Sequence, residues 1–328
     1  MEGGKGTVCV TGGAGCIASW LIMRLLQRGY SVRATIRSDP KYKEDVSHLL
    51  RLPEAPKKLQ MFDAELEKPE SFEAAINGCI GVFHLCQPVD FQGKIPEDTI
   101  VKTSIDGTLG ILRACLKSKT VKKVVYTSSI AAAISFDKPE DFKVIDENVW
   151  SDVDMLRNLG LSGFSYIASK TLTEKAALEF SKEHGLEVVT IVPSAVIGPF
   201  INSSLPNSFP MTLPLIFGNE EQCANMKTMH LVHIDDVISA EIFLFECQNA
   251  EGRHICSRVD VSIHEVARLL SVKYHEHMIP TNFLSKLEEE KPGQFSSKKL
   301  IDLGFEFKYG LEEMIDGALQ CCKEKGFL

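Results

Sequence analysis

Short apolar runs alternate with helical patterns through the first two thirds of the chain, and this alternation limits the fold more than any other feature. "TVCVTG", "SVRATIR", "KLQMFDAEL", "IGVFHLC", "VKKVVYTSS" and "LEVVTIVP" all have strand length. Between them, "IASWLIMRLLQRGY" places Ile17, Leu21 and Leu25, with Ile22 and Leu26, on one helical face and closes on Gly29. "KYKEDVSHLLRL" and "PESFEAAINGC" are expected as helices, and "EDTIVKTSIDGTLGILRACLKS" and "FSYIASKTLTEKAALEFSKEHG" as long ones. Apolar strands separated by helices suit a parallel sheet covered on both faces. Right-handed crossovers then build a doubly wound α/β sheet of the Rossmann type.

Beyond Pro193 the rhythm breaks into "SAVIGPFINSSLPNSFPMTLPLIFG", which has no clean period. Strand and helix return in "LVHIDDVISAEIFLFEC" and "GRHICS", and shorter helices follow around "VSIHEVARLLSVKY" and "LEEMIDGALQCCKEKG". The expected division is a nucleotide domain at 1–192 plus about 230–258, with a smaller interleaved substrate domain at 193–229 and 259–328. No internal repeat is present.

A net charge of −8 excludes the dense basic face that a nucleic acid needs. "MEGGKG" runs into a strand without an apolar leader, and no window reaches the length of a membrane span. The ten cysteines are scattered, with Cys9, Cys79, Cys115 and Cys247 in apolar surroundings and no CxxC. That is the pattern of reduced thiols in a cytoplasmic protein. His230 with His233 and His275 with His277 lack partners at zinc spacing, so no metal is expected. The expected partner is a small-molecule substrate, for a monomer or homodimer.

The turn Thr11-Gly12-Gly13-Ala14-Gly15-Cys16-Ile17-Ala18 joins the first strand to the first helix. Glycine at Gly12 and Gly15 lets backbone N–H groups approach a pyrophosphate at the helix start, where Cys16 and Ile17 lie. Ala18 stands at the last position of the pattern, which serves helix–strand packing and tolerates alanine. Arg37, at the end of the second strand with Lys41 and Lys43 nearby, favours the extra phosphate of NADP over NAD, although Asp39 lies close.

Tyr166 and Lys170 in "SYIASK" are four apart in a helical pattern and share a face. A phenol has a reference pKa of about 10, and a neighbouring ammonium is expected to lower it. A tuned tyrosine can hand a proton to a carbonyl oxygen as hydride arrives at the carbon. Ser128 or Ser129, at the end of the fifth strand, would add a hydrogen bond to that oxygen. Y-x-x-x-K alone is common. Its specificity comes from joining a glycine turn at strand one and a serine pair at strand five.

With these motifs the chain resembles the extended short-chain dehydrogenases/reductases, in particular the plant dihydroflavonol-reductase-like group. The likeness runs from "VCVTGGAGCIASWLIMRLLQRGYSVRATIRSDP" through "GVFH", "VVYTSS", "YIASKTLTEKAA", "GPF" and "LVHIDDV" to "FKYGLEEMIDGALQCCKEKGFL". The resemblance implies Ser129, Tyr166 and Lys170 as the catalytic triad, Gly12, Gly15 and Arg37 on the cofactor, and Pro193 beside the nicotinamide. It places Glu65, where an Asp is usual, and Leu66 near the adenine. Three departures fall where the substrate would sit. Cys86-Gln87-Pro88 replaces Ala-Thr-Pro, Ile134 stands near an expected Asn, and His230 stands where a Gln is usual. A dihydroflavonol is therefore not the expected substrate, and the missing N-W-Y-C-Y signature argues against an acyl-CoA. The pocket would run over Cys86 to Phe91, Ile130 to Phe136, Ser194 to Met211 and His230.

The expected activity is NADPH-dependent reduction of a ketone, aldehyde or lactol-type carbon in an isoflavonoid-like or alkaloid-like molecule of plant specialised metabolism. The alternatives are an NAD(P)⁺-dependent alcohol or hemiacetal dehydrogenase and a non-catalytic NADP-binding sensor.

Overall fold

Seven parallel strands form the main sheet of the computed structural model, in the order β3-β2-β1-β4-β5-β7-β10. The structure describes residues 4–37, 44–88, 95–134, 144–160, 163–206, 208–217, 223, 227–274, 284 and 288–328. The strands are β1 (Thr7–Thr11), β2 (Ser31–Ile36), β3 (Leu59–Asp63), β4 (Gly81–His84), β5 (Lys123–Thr127), β7 (Glu187–Pro193) and β10 (Gly252–Cys256). Strand order reverses between β1 and β4, the kind of switch point beyond whose strand carboxyl ends open α/β sheets bind ligands.

Strand alternation divides the apolar residues between two faces. Val8, Val10, Val32, Phe83 and Val125 pack with Leu21, Ile22 and Leu25 of α1 (Cys16–Gln27) and with Val237 and Ile238 of α4 (Ile234–Glu246). Cys9, Val82, Val124 and Tyr126 pack with Ile111, Leu112 and Cys115 of α2 (Glu97–Ser118) and with Ala177 and Phe180 of α3 (Phe164–His184). Near-continuous apolar strands are thus explained by burial on both sides. Ala18 is 2% exposed and belongs to the α1 face of this core.

A second core lies in the C-terminal part. Strands β8 (Ala195–Ile197), β9 (Thr228–His233) and β11 (Val259–Ser262) make a three-stranded sheet. Leu231, Met229 and Val261 from it pack with Ile263, Val266 and Leu270 of α5 (Ile263–Lys273) and with Met314, Ile315 and Leu319 of α6 (Leu311–Glu324). A two-stranded pair, β6 (Val144–Ile145) with β12 (Gln294–Phe295), ties the C-terminal part to the middle of the chain. Two acids at the start of α4 join the parts. Asp235 accepts from Trp20 Nε1 at 2.8 Å and Arg24 Nε at 2.6 Å on α1 and from Tyr309 OH at 3.3 Å, and Asp236 accepts from the backbone N–H of Lys308 at 3.0 Å.

The segment expected as a helix over Lys41 to Leu52 is shorter in the structure. Only Ser47–Leu50 is helical there, residues 44–46 are not, and 41–43 lie outside the described residues. Asp45 accepts from Ser47 N at 2.9 Å, a local bond that competes with the helix. All ten cysteines are free thiols. Among the described residues, no helix is long and apolar enough to cross a membrane.

One packing detail sets a sign. Gly110 lies within α2, where alanine would raise helix propensity by about 1 kcal/mol. A Cβ there would stand 2.1 Å from Pro69 Cβ, on a ring that cannot rotate away. Gly110→Ala is expected to destabilise the fold by about 1–2 kcal/mol, because overpacking outweighs propensity. A urea denaturation showing a more stable variant would contradict the close approach.

Candidate active site

The glycine turn joins the end of β1 to the start of α1. Gly12 has φ +69°, a conformation costly for residues with a side chain, and a Cβ on it would lie 2.9 Å from Cys86 Cβ. The turn is pinned by Gly12 N to Thr35 Oγ1 at 3.2 Å, Gly13 N to Thr35 O at 2.7 Å and Gly15 N to Gly12 O at 3.0 Å. Helix α1 then starts at Cys16 with no side-chain cap and no acidic residue in its first turn. Its first N–H groups therefore have neither an intrahelical acceptor nor a capping oxygen, and the dipole favours an anion there. This bare start fits the pyrophosphate of a dinucleotide, and the missing Cβ at Gly12 lets the turn pack directly on Cys86. Burial pushes the Cys16 thiol up to about 12, so at the mouth of the turn it is a neutral group.

The loop leaving β4 is locked to the turn. Thr11 Oγ1 accepts from the N–H groups of Leu85 and Cys86 at 3.0 and 3.2 Å and lies 2.9 Å from His84 Nδ1. His84 Nε2 reaches Thr108 Oγ1 on α2 at 2.8 Å. The ring is fully buried, and desolvation, with a smaller push from Lys170, lowers its pKa to about 3. A neutral His84 thus bridges β1 to α2 beneath the glycine turn. Asn202 Nδ2 donates to Ala14 O at 2.8 Å and braces the turn from the C-terminal part.

Arg37 follows β2 directly and is half exposed, paired with Glu44 at 2.8 Å. Lys43 lies outside the described residues. Glu65 pairs with Lys68 at 2.9 Å, and its backbone N–H donates to Ser71 Oγ at 3.0 Å. Leu66 packs against α2, where a Cβ on Gly107 would meet its Cδ2 at 2.3 Å. Pro193 closes β7 and pairs with Cys256.

Ser129, Tyr166 and Lys170 come together at the carboxyl ends of the central strands. Ser129 caps the 3₁₀ turn Ile130–Ala133, accepting from Ala131 N at 3.2 Å. Tyr166 is in the first turn of α3, after Gly163 at φ +77°. Lys170 Nζ donates to Thr127 O at 2.9 Å and lies 6.0 Å from the Tyr166 ring centroid. Burial lowers the Lys170 pKa to about 8, opposed by Glu174, Cys86 and Glu241. The expected lowering of the Tyr166 pKa is not what this geometry produces. Desolvation raises it, and a hydrogen bond with Ser129 opposes the rise. Between the two serines, Ser129 is the one beside Tyr166; Ser128 turns the other way and donates to Glu174 Oε2 at 2.7 Å.

Beneath these groups is a buried polar layer that motif spacing alone did not indicate. Glu174 is 0% exposed and accepts from Thr190 Oγ1 at 2.5 Å and Arg253 Nε at 3.0 Å as well as from Ser128. Arg253 also donates to the carbonyls of Val149 at 2.6 Å, Glu147 at 3.0 Å and Ala132 at 3.2 Å, and lies 3.6 Å from the Trp150 ring centroid. Glu241, also 0% exposed, accepts from Thr127 Oγ1 at 2.8 Å, and burial pushes its pKa up to about 8 against the pull of that bond and of Lys170. The one available signal was Glu174 standing four after Lys170, on the same helical face.

The residues expected on the substrate side differ in how they are held. Both ends of the Gln87 amide are engaged, with Nε2 donating to Ser169 Oγ at 2.9 Å and Oε1 accepting from Tyr126 OH at 3.2 Å. Ile134 donates its backbone N–H to Ser151 Oγ at 2.7 Å. His230, on β9, faces its strand partner Asp260, and Nδ1 lies 2.6 Å from Asp260 Oδ1. The Phe295 ring meets the imidazole edge-on at 4.7 Å between centroids. Residues 89–91, 135–136 and 207 of the expected pocket lie outside the described residues.

A parallel sheet with a glycine turn at its switch point and a Ser–Tyr–Lys group at its carboxyl edge defines an NAD(P)-dependent oxidoreductase of the extended short-chain dehydrogenase/reductase class. The chain belongs to the NAD dependent epimerase/dehydratase family, whose profile matches residues 8–256. It is 53% identical over 334 residues to noscapine synthase of Papaver somniferum, an alignment covering 100% of this chain and 95% of that one. It is 49% identical over 322 residues to dihydroflavonol 4-reductase of Callistephus chinensis, covering 98% and 88%. The crystal structure of vestitone reductase from alfalfa (Medicago sativa) superposes with a TM-score of 0.88 at 46% identity, covering 99% of this chain and 100% of that one.

The buried layer carries a stability prediction. Arg253→Met keeps bulk but strands the Glu174 charge, which is expected to cost about 3–5 kcal/mol. Adding Glu174→Gln should recover part of the loss by removing that charge. Urea denaturation of wild type, single and double variants checks this; a double variant no better than Arg253→Met would refute the charge argument.

Proposed function

We propose that the protein is an NADPH-dependent carbonyl reductase of plant specialised metabolism. Its substrate would be a polycyclic, isoflavonoid-like or alkaloid-like molecule bearing a ketone, aldehyde or lactol-type carbon. The observation that carries this reading is the meeting of Ser129, Tyr166 and Lys170 at the strand ends beside the glycine turn. The names of its plant relatives support it: noscapine synthase, vestitone reductase and dihydroflavonol 4-reductase.

The backbone from Gly12 to Ile17 would hold the pyrophosphate, Arg37 the 2′-phosphate, and Glu65 with Leu66 the adenine side. Lys170 would hold the nicotinamide ribose, with Pro193 alongside. When bound, the reduced nicotinamide supplies the hydride. The protein's part is the proton. Burial keeps the Tyr166 hydroxyl protonated near neutral pH, the state a donor needs, and Ser129 is placed to steady the developing oxyanion. Asp260 accepts the Nδ1–H of His230, which leaves Nε2 as the ring nitrogen that would meet a substrate hydroxyl. The substrate portion is assigned to 193–229 and 259–328.

Tyr166→Phe is expected to bind NADPH normally and to lose about 10²–10⁴-fold in turnover, the usual contribution of a placed acid. Retained turnover on a panel of isoflavanone and alkaloid carbonyls would refute the donor role. The pH dependence has a definite sign. Lys170 is charged below about 8 and loses its charge above it, so kcat/KM for reduction should fall as pH rises through that value. Lys170→Arg stays charged throughout, so its residual activity should lack that limb. A wild-type profile that stays flat from about pH 7 to about 9.5 would refute a role for the ammonium.

A further inference from the structure

Arg37 is offered to the cofactor's 2′-phosphate, yet it already holds an acid. Glu44 Oε1 accepts from Arg37 Nε at 3.0 Å and from Nη2 at 2.8 Å. Glu44 Oε2 accepts from the Arg37 backbone N–H at 3.3 Å. The edge of the guanidinium best shaped to grip a phosphate in fork geometry is therefore turned onto a carboxylate.

Glu44 is also tied in place. The next residue, Asp45, accepts from Ser203 Oγ at 2.5 Å and from Ser47 N at 2.9 Å, so the chain here is fastened to the 203 loop of the C-terminal part. The Glu44 side chain is 21% exposed, against 49% for Arg37. A 2′-phosphate carries a charge of about −1.5 to −2 near neutral pH. It meets Glu44 twice, as a rival for the same N–H groups and as a like charge beside them. A ribose 2′-hydroxyl is neutral and does not compete in this way.

We infer that Glu44 is a specificity-determining residue of the cofactor site, an internal anion that competes with the 2′-phosphate for Arg37 and narrows the preference for NADPH over NADH. The inference rests on Arg37 as the 2′-phosphate cation. It differs from that assignment in direction, since it gives one residue of the site a role against NADPH.

The test is equilibrium binding to the full-length protein by calorimetry, with NADPH, NADH, 2′,5′-ADP and 5′-AMP as probes. Glu44→Gln is expected to tighten NADPH and 2′,5′-ADP about three- to tenfold, the range for removing one competing charge at a partly exposed pair, and to leave NADH and 5′-AMP within about twofold. Arg37→Ala should weaken the two 2′-phosphorylated probes about tenfold and spare the others. If Arg37→Ala weakens NADPH while Glu44→Gln leaves it unchanged or weaker, the competition is refuted and the Arg37 assignment stands. If Arg37→Ala leaves the 2′-phosphorylated probes unchanged, both fall. A selective loss of NADH binding in Glu44→Gln would overturn the inference in favour of a direct contact between Glu44 and the ribose.

Discussion

Glu174 keeps a carboxylate with no exposed surface, and the site above it is arranged around satisfying that charge. In a low-dielectric interior an unpaired carboxylate is prohibitive, so each of its lone pairs must be met. Arg253 on β10, Thr190 on β7 and Ser128 after β5 meet them. Those three donors come from neighbouring strands, while Glu174 itself lies on the helix that carries Tyr166 and Lys170. The same ion pair therefore sets that helix against the sheet and fixes the backbone that presents Ser129. Arg253 extends the clamp through the carbonyls of Ala132, Glu147 and Val149, which hold the chain on either side of the 3₁₀ turn.

Two lesser constraints orient the remaining chemistry. His84, kept neutral by burial, bridges Thr11 and Thr108 and so couples the start of the glycine turn to α2. Thr127 serves both sides of the site: its carbonyl accepts from Lys170 and its hydroxyl donates to Glu241. Lys170 thus lies between two buried acids, Glu174 and Glu241, and their fields offset part of the desolvation that lowers its pKa. At the proposed 2′-phosphate position the balance is reversed. Arg37 and Glu44 are solvent-accessible and salt-screened, so their pairing is weak enough for a ligand to challenge.

Much of this was legible in the chain. The parallel sheet followed from strand-length apolar runs separated by helices, and the turn from Gly12 and Gly15. Ser129, Tyr166 and Lys170 were found by joining three local patterns to their places on the sheet. The shortened helix at Ser47–Leu50 was not legible, because Asp45 forms a turn with Ser47 and a bond to distant Ser203. Nor was the engagement of Gln87, whose partners Ser169 and Tyr126 lie on other elements. Glu174 looks in sequence like one more polar helical residue. Its partner Arg253 is 79 residues away and carries no motif.

Sequence alone determined the features that depend on near neighbours: hydrophobic period, turn chemistry, and the helical spacing that sets Tyr166 and Lys170 on one face. Tertiary structure alone decided which charges are buried and what they meet. It put Glu174 with Arg253, His230 with Asp260 and Arg37 with Glu44, and it raised the Tyr166 pKa where a lysine four residues away would suggest a fall. The reason is physical. Backbone preferences are set within a few residues, whereas the energy of a charge depends on the dielectric around it, and burial sets that only when distant segments have packed together.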